Sequence, residues 1–407
     1  MLHGRFPSWP NFSQEEADKV SRVLLSNKVN YWTGDECKQF EKEFATFAGA
    51  EHAIAVTNGT IALDLALVGL GIGSHNGGSS TDEVIVTPRS FLASVSCVVN
   101  AGAIPIFADV DLETQLITAQ TVAPHITANT KAIICVHLFG WPCDMDALHD
   151  LVEGRGIKLI EDCAQAHGAK YKGKPVGSLG DVAAWSFCQD KIMTTGGEGG
   201  MVTCNDMDLW KKMWAYKDHG KSYDAVFNRE HPPGFRWLHE SFGTNWRMTE
   251  IQAAIGRIQL KRLSDWTRQR RENAKALKKL LMPFSGPDKW LRIPDLQCVA
   301  CDGTCNSNEA CEHAWYKFSA FVQPENLPTK ISRDDVINMI AEQGLPCMQG
   351  SCSEIYLERA FDNTTLRPVN RLPNAQKLGE TSLLFVCLLY TSPSPRDQRG
   401  SRMPSSA

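Results

Sequence analysis

Residues 157–168 read IKLIEDCAQAHG and place two acidic side chains at the end of an apolar segment. The apolar pattern predicts a buried β-strand over Lys158–Asp162, with Glu161 and Asp162 at its carboxyl end. Open α/β sheets bind their ligands at this edge. One of the two carboxylates could therefore hold a cationic ring nitrogen, and either could equally well cap the turn that follows.

Short apolar runs alternate with helical patterns on both sides of this strand. Six further strands are predicted, at residues 52–57, 83–87, 104–110, 131–137, 182–188 and 200–204. Two helices precede them, because Ser13 and Glu16 have capping-box spacing and Glu36–Phe47 repeats apolar residues at helical spacing. This alternation predicts an α/β fold whose largely parallel sheet is covered on both faces.

The pattern changes after about residue 247. Residues 247–281 predict one long helix, and a strand over 314–322 followed by a capped helix over 332–343 indicates a smaller α+β domain. We therefore expect a large domain over residues 1–250 with N-terminal helices and a smaller domain over 251–389. Residues 390–407 are rich in Ser, Pro and Arg, which predicts a disordered tail or an artificial extension.

Composition and charge exclude several classes of protein. The 407 residues include 42 Lys plus Arg and 46 Asp plus Glu, for a net charge of −4, which argues against nucleic acid as a partner. No apolar run reaches the roughly 18 residues that cross a membrane, and the start lacks the pattern of a secretory signal. We expect a cytoplasmic protein whose 14 cysteines are mostly reduced.

A cysteine-rich segment raises the question of a metal. It contains enough soft ligands for zinc, namely Cys298, Cys301, Cys305, Cys311 and His313. Their spacing matches no recognised zinc motif. A reduced cysteine-rich loop is therefore the favoured interpretation, with structural zinc as the alternative.

Two other segments carry groups that suit one cofactor. Asn58-Gly59-Thr60 lies between a predicted strand and a predicted helix, where backbone N–H groups can hold a phosphate, although such a turn alone is more often a simple helix cap. Residues 185–200, WSFCQDKIMTTGGEGG, place Ser186 and Lys191 on a glycine-rich loop. A phosphorylated aldehyde cofactor needs an amine, an anion for its ring nitrogen and a helix start for its phosphate.

Several segments together resemble the sugar aminotransferase family named for DegT, DnrJ, EryC1 and StrS, whose members are pyridoxal 5'-phosphate enzymes of fold type I. The matching segments are TNGTIALDLAL, IEDCAQAHGA, WSFCQDKIMTTGGEGGMV and GTNWRMTEIQAAIGR. They lie within residues 30–260, and the resemblance continues more faintly to residue 385. It implies a fold type I transferase with a mostly parallel sheet between helices, a smaller C-terminal α+β domain and a homodimer with shared active sites.

The resemblance also implies a role for each matching residue. Lys191 would form the Schiff base with the cofactor aldehyde, Asp162 would pair with the pyridine nitrogen, and Gln165 would lie near the ring hydroxyl. The other positions are Gly59, Thr60 and Ser186 at the phosphate, Phe91 stacked on the ring, and Asn245 reaching the phosphate of a neighbouring subunit. No metal is expected at this site.

The implied reaction is transfer of an amino group from glutamate to a keto-sugar carried on a nucleotide diphosphate, as in polysaccharide biosynthesis. Lys191 favours amino transfer, because dehydratase relatives have a histidine at this position. A pyridoxal phosphate-binding regulatory protein without turnover and a lyase of the same fold remain alternatives. Ser382–Val386 resembles the approach to the family's final segment, so we expect the small domain to be truncated.

Overall fold

The computed structural model describes residues 9–296 and 310–387. The chain begins with two helices, α1 (Gln14–Leu25) and α2 (Glu36–Ala48). Ser13 starts α1 with the predicted capping box, in which its backbone N–H donates to Glu16 Oε2 at 2.6 Å. Gly49 ends α2 with φ +66°, a left-handed conformation that glycine adopts without strain.

Nine strands follow, and those of the large sheet begin and end within three residues of the predicted limits. They are β1 (His52–Val56), β2 (Glu83–Val86), β3 (Ile104–Phe107), β4 (Thr130–Val136), β5 (Lys158–Asp162), β6 (Lys170–Tyr171), β7 (Lys174–Pro175), β8 (Val182–Ser186) and β9 (Gly200–Cys204). Strands β6 and β7 form a separate hairpin. The other seven form one sheet in the order β1-β9-β8-β5-β4-β2-β3.

Most neighbouring strands of this sheet are parallel. The pairs β2–β3, β2–β4, β4–β5 and β5–β8 run parallel, whereas β9 is antiparallel to both β1 and β8. Every residue of β8 and β9 is buried, so both faces of the sheet are covered there. The predicted fold class, with a mostly parallel sheet between helices, is confirmed.

Six helices accompany these strands. They are α3 (Gly59–Leu70), α4 (Ala93–Asn100), α5 (Ala119–Val122), α6 (Met145–Val152), α7 (Met207–Tyr216) and α8 (Tyr223–Phe227). Helix α3 packs on β8 and β9, α4 on β2 and β3, and α6 on β5. Since α3 begins just after β1, its N-terminus lies at the same edge of the sheet as the end of β8.

The second half of the chain begins with α9 (Glu250–Leu281), which packs against α1 and α2. The elements after it are β10 (Leu291–Arg292), β11 (Lys317–Val322), α10 (Arg333–Glu342), β12 (Cys347–Met348), α11 (Pro373–Thr381) and β13 (Ser382–Val386). Their strands form an antiparallel sheet in the order β10-β11-β13-β12. The division into domains near residue 250 stays a prediction.

Some of the sequence predictions fall outside the described residues. These are the tail over 390–407 and three of the possible zinc ligands, Cys298, Cys301 and Cys305. The Nδ1 atom of His313 is already used, since it accepts a hydrogen bond from the Trp315 backbone N–H at 2.8 Å. None of the helices within 9–296 or 310–387 combines the length and the apolar character needed to cross a membrane.

Candidate active site

Asp162 is the last residue of β5, and its carboxylate is buried and oriented by two donors. Its Oδ2 atom accepts a hydrogen bond from the Ser94 hydroxyl at 2.7 Å, and its Oδ1 atom accepts one from the Ala164 backbone N–H at 3.1 Å. The Ser94 hydroxyl lies 3.0 Å from that of Ser90. A carboxylate has about four acceptor sites, so Asp162 retains capacity for a further donor such as a protonated ring nitrogen.

Glu161, one residue earlier, has a different environment. Its carboxylate is completely buried, lies 2.9 Å from His137 Nε2 and accepts three backbone N–H groups of residues 177–180 at 2.8–2.9 Å. Burial raises the pKa of Glu161, but these hydrogen bonds and the charge of His137 outweigh it and hold the pKa below its ordinary value. The Glu161 carboxylate is therefore held by protein groups on all sides, whereas the ligand role of Asp162 stays a prediction.

The start of α3 lies against the end of β8. A Cβ atom added to Gly59 would be 2.5 Å from Ser186 Cβ, so only glycine allows this close approach. The Asn58 side chain caps the helix by accepting from the Ile61 N–H at 3.0 Å. The backbone N–H groups of Gly59 and Thr60 donate to no other residue in the described part of the chain. The structure thus brings Gly59, Thr60 and Ser186 together.

Lys191 lies on the loop between β8 and β9. Its Nζ atom is 3.3 Å from Asp190 Oδ1 and 5.5 Å from the centre of the Tyr316 ring, and 15% of its side chain is exposed. The backbone of this loop is held by Trp9, whose indole N–H donates to the Lys191 carbonyl at 2.9 Å. Strands β5 and β8 are adjacent and parallel, so they end at the same edge of the sheet. Asp162 is the last residue of β5, and Lys191 lies on the loop that follows β8.

The remaining predicted residues lie around this edge with different degrees of exposure. Gln165 is buried, and its Oε1 atom accepts from the Phe139 backbone N–H at 2.9 Å. Phe91 precedes α4, three residues before Ser94, and its ring is 70% exposed. Asn245 is also exposed. The roles of Phe91 and Asn245 stay predictions.

The sequence motifs do not identify His167 as a site residue. Its imidazole is completely buried, packs beside the rings of Trp185 and Phe187, and has no hydrogen-bond partner for either nitrogen among the residues described. Burial, together with the charges of Lys191 and Arg270, lowers the pKa of His167 to about 3. A neutral imidazole therefore lies beneath the lysine loop.

These groups fit a phosphorylated aldehyde cofactor. Lys191 supplies a primary amine, Asp162 a buried carboxylate, and the start of α3 two backbone N–H groups beside the Ser186 hydroxyl. The glycine at position 59 leaves the helix start accessible for a phosphate. The sequence did not reveal the contributions of Ser94, Asp190 and Tyr316. Ser94 contacts Asp162 from helix α4, whereas Asp190 pairs with Lys191 on the same loop and accepts a hydrogen bond from Tyr316.

Comparisons with known proteins agree with this geometry. The sequence profile of the DegT/DnrJ/EryC1/StrS aminotransferase family matches residues 10–386. The GDP-perosamine synthase of Escherichia coli O157:H7 is 41% identical over 274 residues, which are 66% of this chain and 69% of that protein. The pleiotropic regulatory protein of Geobacillus stearothermophilus is 32% identical over 367 residues, 90% of this chain and 88% of that protein. The X-ray structure of the aminotransferase from Psychrobacter cryohalolentis is 57% identical, covers 95% of each chain and superposes with a TM-score of 0.90.

The fold and the family match together define an α/β enzyme of the aminotransferase class. The family and its structure neighbours, one of them with bound pyridoxal phosphate, indicate dependence on this cofactor. The chain belongs to the DegT/DnrJ/EryC1/StrS aminotransferase family. The family and the enzyme class predicted from the sequence are therefore confirmed.

Proposed function

We propose that the protein is a pyridoxal 5'-phosphate-dependent aminotransferase that moves an amino group from glutamate to a nucleotide-linked keto-sugar. The observation that carries the proposal is the arrangement at the carboxyl edge of the large sheet. There Asp162 ends strand β5, and Lys191 follows the adjacent strand β8. The start of α3 lies against the end of β8, and the N–H groups of Gly59 and Thr60 have no acceptor among the described residues. The relative named GDP-perosamine synthase supports a nucleotide-linked sugar as substrate.

Asp162 would hold a proton on the ring nitrogen of the cofactor. When bound, pyridoxal phosphate supplies an electron sink that stabilises negative charge on a substrate carbon. A carboxylate beside a ring nitrogen favours its protonated form. The hydroxyl of Ser94 and the N–H of Ala164 fix the direction of this carboxylate, so the fold orients it before the cofactor binds.

Lys191 would serve as tether and as acid–base group. Its Nζ atom is the primary amine that would bond to the cofactor aldehyde. Once an incoming amine displaces it, the same atom is free to take a proton from one carbon and return it to another. The loop carries this residue between two buried strands, β8 and β9, which limits how far the amine can move.

The phosphate would bind at the start of α3, and the ring would lie between side chains from two other elements. The Gly59 and Thr60 N–H groups and the Ser186 hydroxyl would donate to phosphate oxygens, supported by the helix dipole. Phe91 would stack on the ring. Gln165 would face the ring hydroxyl with its Nε2 atom, because its Oε1 atom already accepts from the Phe139 N–H.

Asn245 leads us to propose a homodimer with shared active sites. Its segment also carries Phe235, Trp237 and Phe242, whose side chains are 79%, 81% and 99% exposed. Exposed apolar groups of this size in one segment mark an interaction surface. A second copy of the chain would cover these rings. Asn245 would then contact the cofactor phosphate bound in that second copy.

Addition of glutamate to the protein loaded with pyridoxal phosphate tests the proposal. We expect loss of the visible absorbance of the bound cofactor and release of one equivalent of 2-oxoglutarate. Subsequent addition of nucleotide-linked keto-sugars should restore the absorbance with the correct sugar only, and Lys191→Ala should show neither change. The relative named as a regulatory protein favours a second candidate, a cofactor-binding regulator, for which glutamate would leave the absorbance of the wild type unchanged.

A further inference from the structure

Asp190 connects the lysine loop of the large sheet to the segment that leads into the second sheet. Lys191 Nζ lies 3.3 Å from Oδ1 of this carboxylate and donates a hydrogen bond to Oδ2 at 3.4 Å. The Oδ2 atom also accepts a hydrogen bond from the Tyr316 hydroxyl at 2.5 Å. Tyr316 immediately precedes β11, 126 residues further along the chain. The carboxylate therefore lies between the amine proposed to bond the cofactor and a hydroxyl from another part of the fold.

The Tyr316 side chain is a fixed donor. It is buried, its backbone N–H donates to the Phe139 carbonyl at 2.9 Å, and its carbonyl accepts from Arg270 Nη1 at 3.4 Å. Burial and the charge of Asp190 raise the pKa of Tyr316, so its hydroxyl stays protonated at neutral pH.

Asp190 is a carboxylate under the same conditions. Partial burial raises the pKa of Asp190, but the charge of Lys191 and the hydrogen bond from Tyr316 outweigh this effect and lower the pKa below its ordinary value. The hydrogen bond thus joins a neutral phenol to an anion. Such charge-assisted bonds are short and hold their partners in place.

The Lys191 amine has few other groups to pair with. Asp190 is its only carboxylate partner among the described residues. Lys317 lies near enough to interact with both Asp190 and Lys191, and Arg270 and Lys191 both act on the neutral His167. Lys317 is therefore a second cation near the amine. Removing the Asp190 charge would break the ion pair that holds the amine in place.

We propose that Asp190 is a positioning residue that holds the Lys191 amine through their ion pair whenever this amine is not bonded to the cofactor, and that Tyr316 holds Asp190. This inference rests on the proposed function, because it concerns the lysine that captures the aldehyde. In the capture step Lys191 gives its extra proton to solvent, its nitrogen forms a double bond to the aldehyde carbon, and the aldehyde oxygen leaves as water. Asp190 therefore slows capture but returns the released amine to one position in each cycle.

The test measures how fast the cofactor-free full chain captures pyridoxal phosphate at pH 7.5, followed by visible absorbance. We expect capture by Asp190→Asn to be about two- to five-fold faster, which corresponds to about 0.4–1 kcal/mol, a value typical of a partly exposed ion pair. Tyr316→Phe should change the rate in the same direction by a smaller factor. In the loaded enzyme, kcat should fall several-fold in both variants while KM for glutamate stays within two-fold.

Asp146→Asn is the matched control. Asp146 also pairs with a lysine, Lys172, and its side chain is 57% exposed, against 59% for Asp190. Its substitution should leave the capture rate unchanged. Thermal unfolding of each variant shows whether the chain is folded under the assay conditions.

Two results would overturn the inference. One is capture by Asp190→Asn at or below the wild-type rate in a folded protein, and the other is a change in kcat for Tyr316→Phe without any change in capture. A different result would show that the proposed function itself is wrong. In that case the wild type would capture no cofactor, or it would capture the cofactor at the same rate as Lys191→Ala.

Discussion

The Ser94 hydroxyl donates to Oδ2 of Asp162 across 2.7 Å and connects helix α4 to the end of strand β5. Both residues are buried, and the partner of Asp162 lies 68 positions earlier in the sequence. The bond fixes the carboxylate in the orientation proposed for holding the ring nitrogen. Ser94 therefore acts on the candidate site through Asp162.

Ser94→Ala tests this relationship. A hydrogen bond to a charged group contributes about 1.5–3 kcal/mol, so we expect kcat to fall roughly 10- to 100-fold if the orientation of Asp162 matters most during proton transfer. Cofactor affinity, measured by absorbance titration, should change less than about three-fold. Ser96→Ala is the control, because Ser96 lies in the same helix and its hydroxyl has no partner among the described residues. Equal losses in kcat for both variants would contradict this role.

Gly59→Ala should disturb the phosphate turn through a steric clash. The new Cβ atom would lie 2.5 Å from Ser186 Cβ, and overpacking of this kind costs about 1–3 kcal/mol. Alanine is the better helix former by about 1 kcal/mol, so a net loss of stability in urea unfolding would identify the clash as its cause. We also expect cofactor affinity to fall about ten-fold or more.

Combining Gly59→Ala with Ser186→Gly separates this clash from other effects. The second change removes the atom that the new side chain meets, so the stability lost in Gly59→Ala should be partly restored. Cofactor affinity should stay low, because the Ser186 hydroxyl is absent. Additive losses of stability in the double variant would show that the two positions do not contact each other.

Sequence patterns predicted the features of the fold that depend on neighbouring residues. The capping box of Ser13 and Glu16 starts α1, and the apolar run that ends at Asp162 forms β5 with its predicted limits. The local pattern alone could not distinguish Glu161 from Asp162, since the partners of Glu161 come from His137 and from residues 177–180. Those contacts depend on strand order, which no local pattern contains.

The same reasoning explains which parts of the candidate site went unnoticed. Asp190 and Lys191 are adjacent in the sequence. The hydroxyl that holds Asp190 belongs to Tyr316, which lies just before strand β11 of the second sheet. The antiparallel direction of β9 also escapes prediction, because the pattern of a fully buried strand is the same in either direction. Family resemblance could name Lys191 and Asp162 without showing how they are supported.

His167 should make the protein sensitive to acid. Its pKa lies near 3 in the folded chain, against about 6.5 when unfolded. Between these pH values the unfolded chain binds one more proton at this residue, so stability falls as pH decreases below about 6.5, by about 1.4 kcal/mol per pH unit. His167→Phe keeps the contacts with Trp185 and Phe187 and removes this proton.

Urea unfolding at several pH values between 4 and 7 measures this effect. We expect the dependence of unfolding free energy on pH to be shallower in His167→Phe by about one proton, whatever its stability at pH 7. Parallel curves for the two proteins would show that the imidazole titrates normally in the folded chain.

Borohydride reduction of the protein loaded with pyridoxal phosphate, followed by digestion and mass spectrometry, tests the central role of Lys191 most directly. The account predicts a stable pyridoxyl group on the peptide that contains Lys191, and none at this position in Lys191→Ala. A label on another lysine such as Lys317, or no label on a protein that has bound the cofactor, would contradict it.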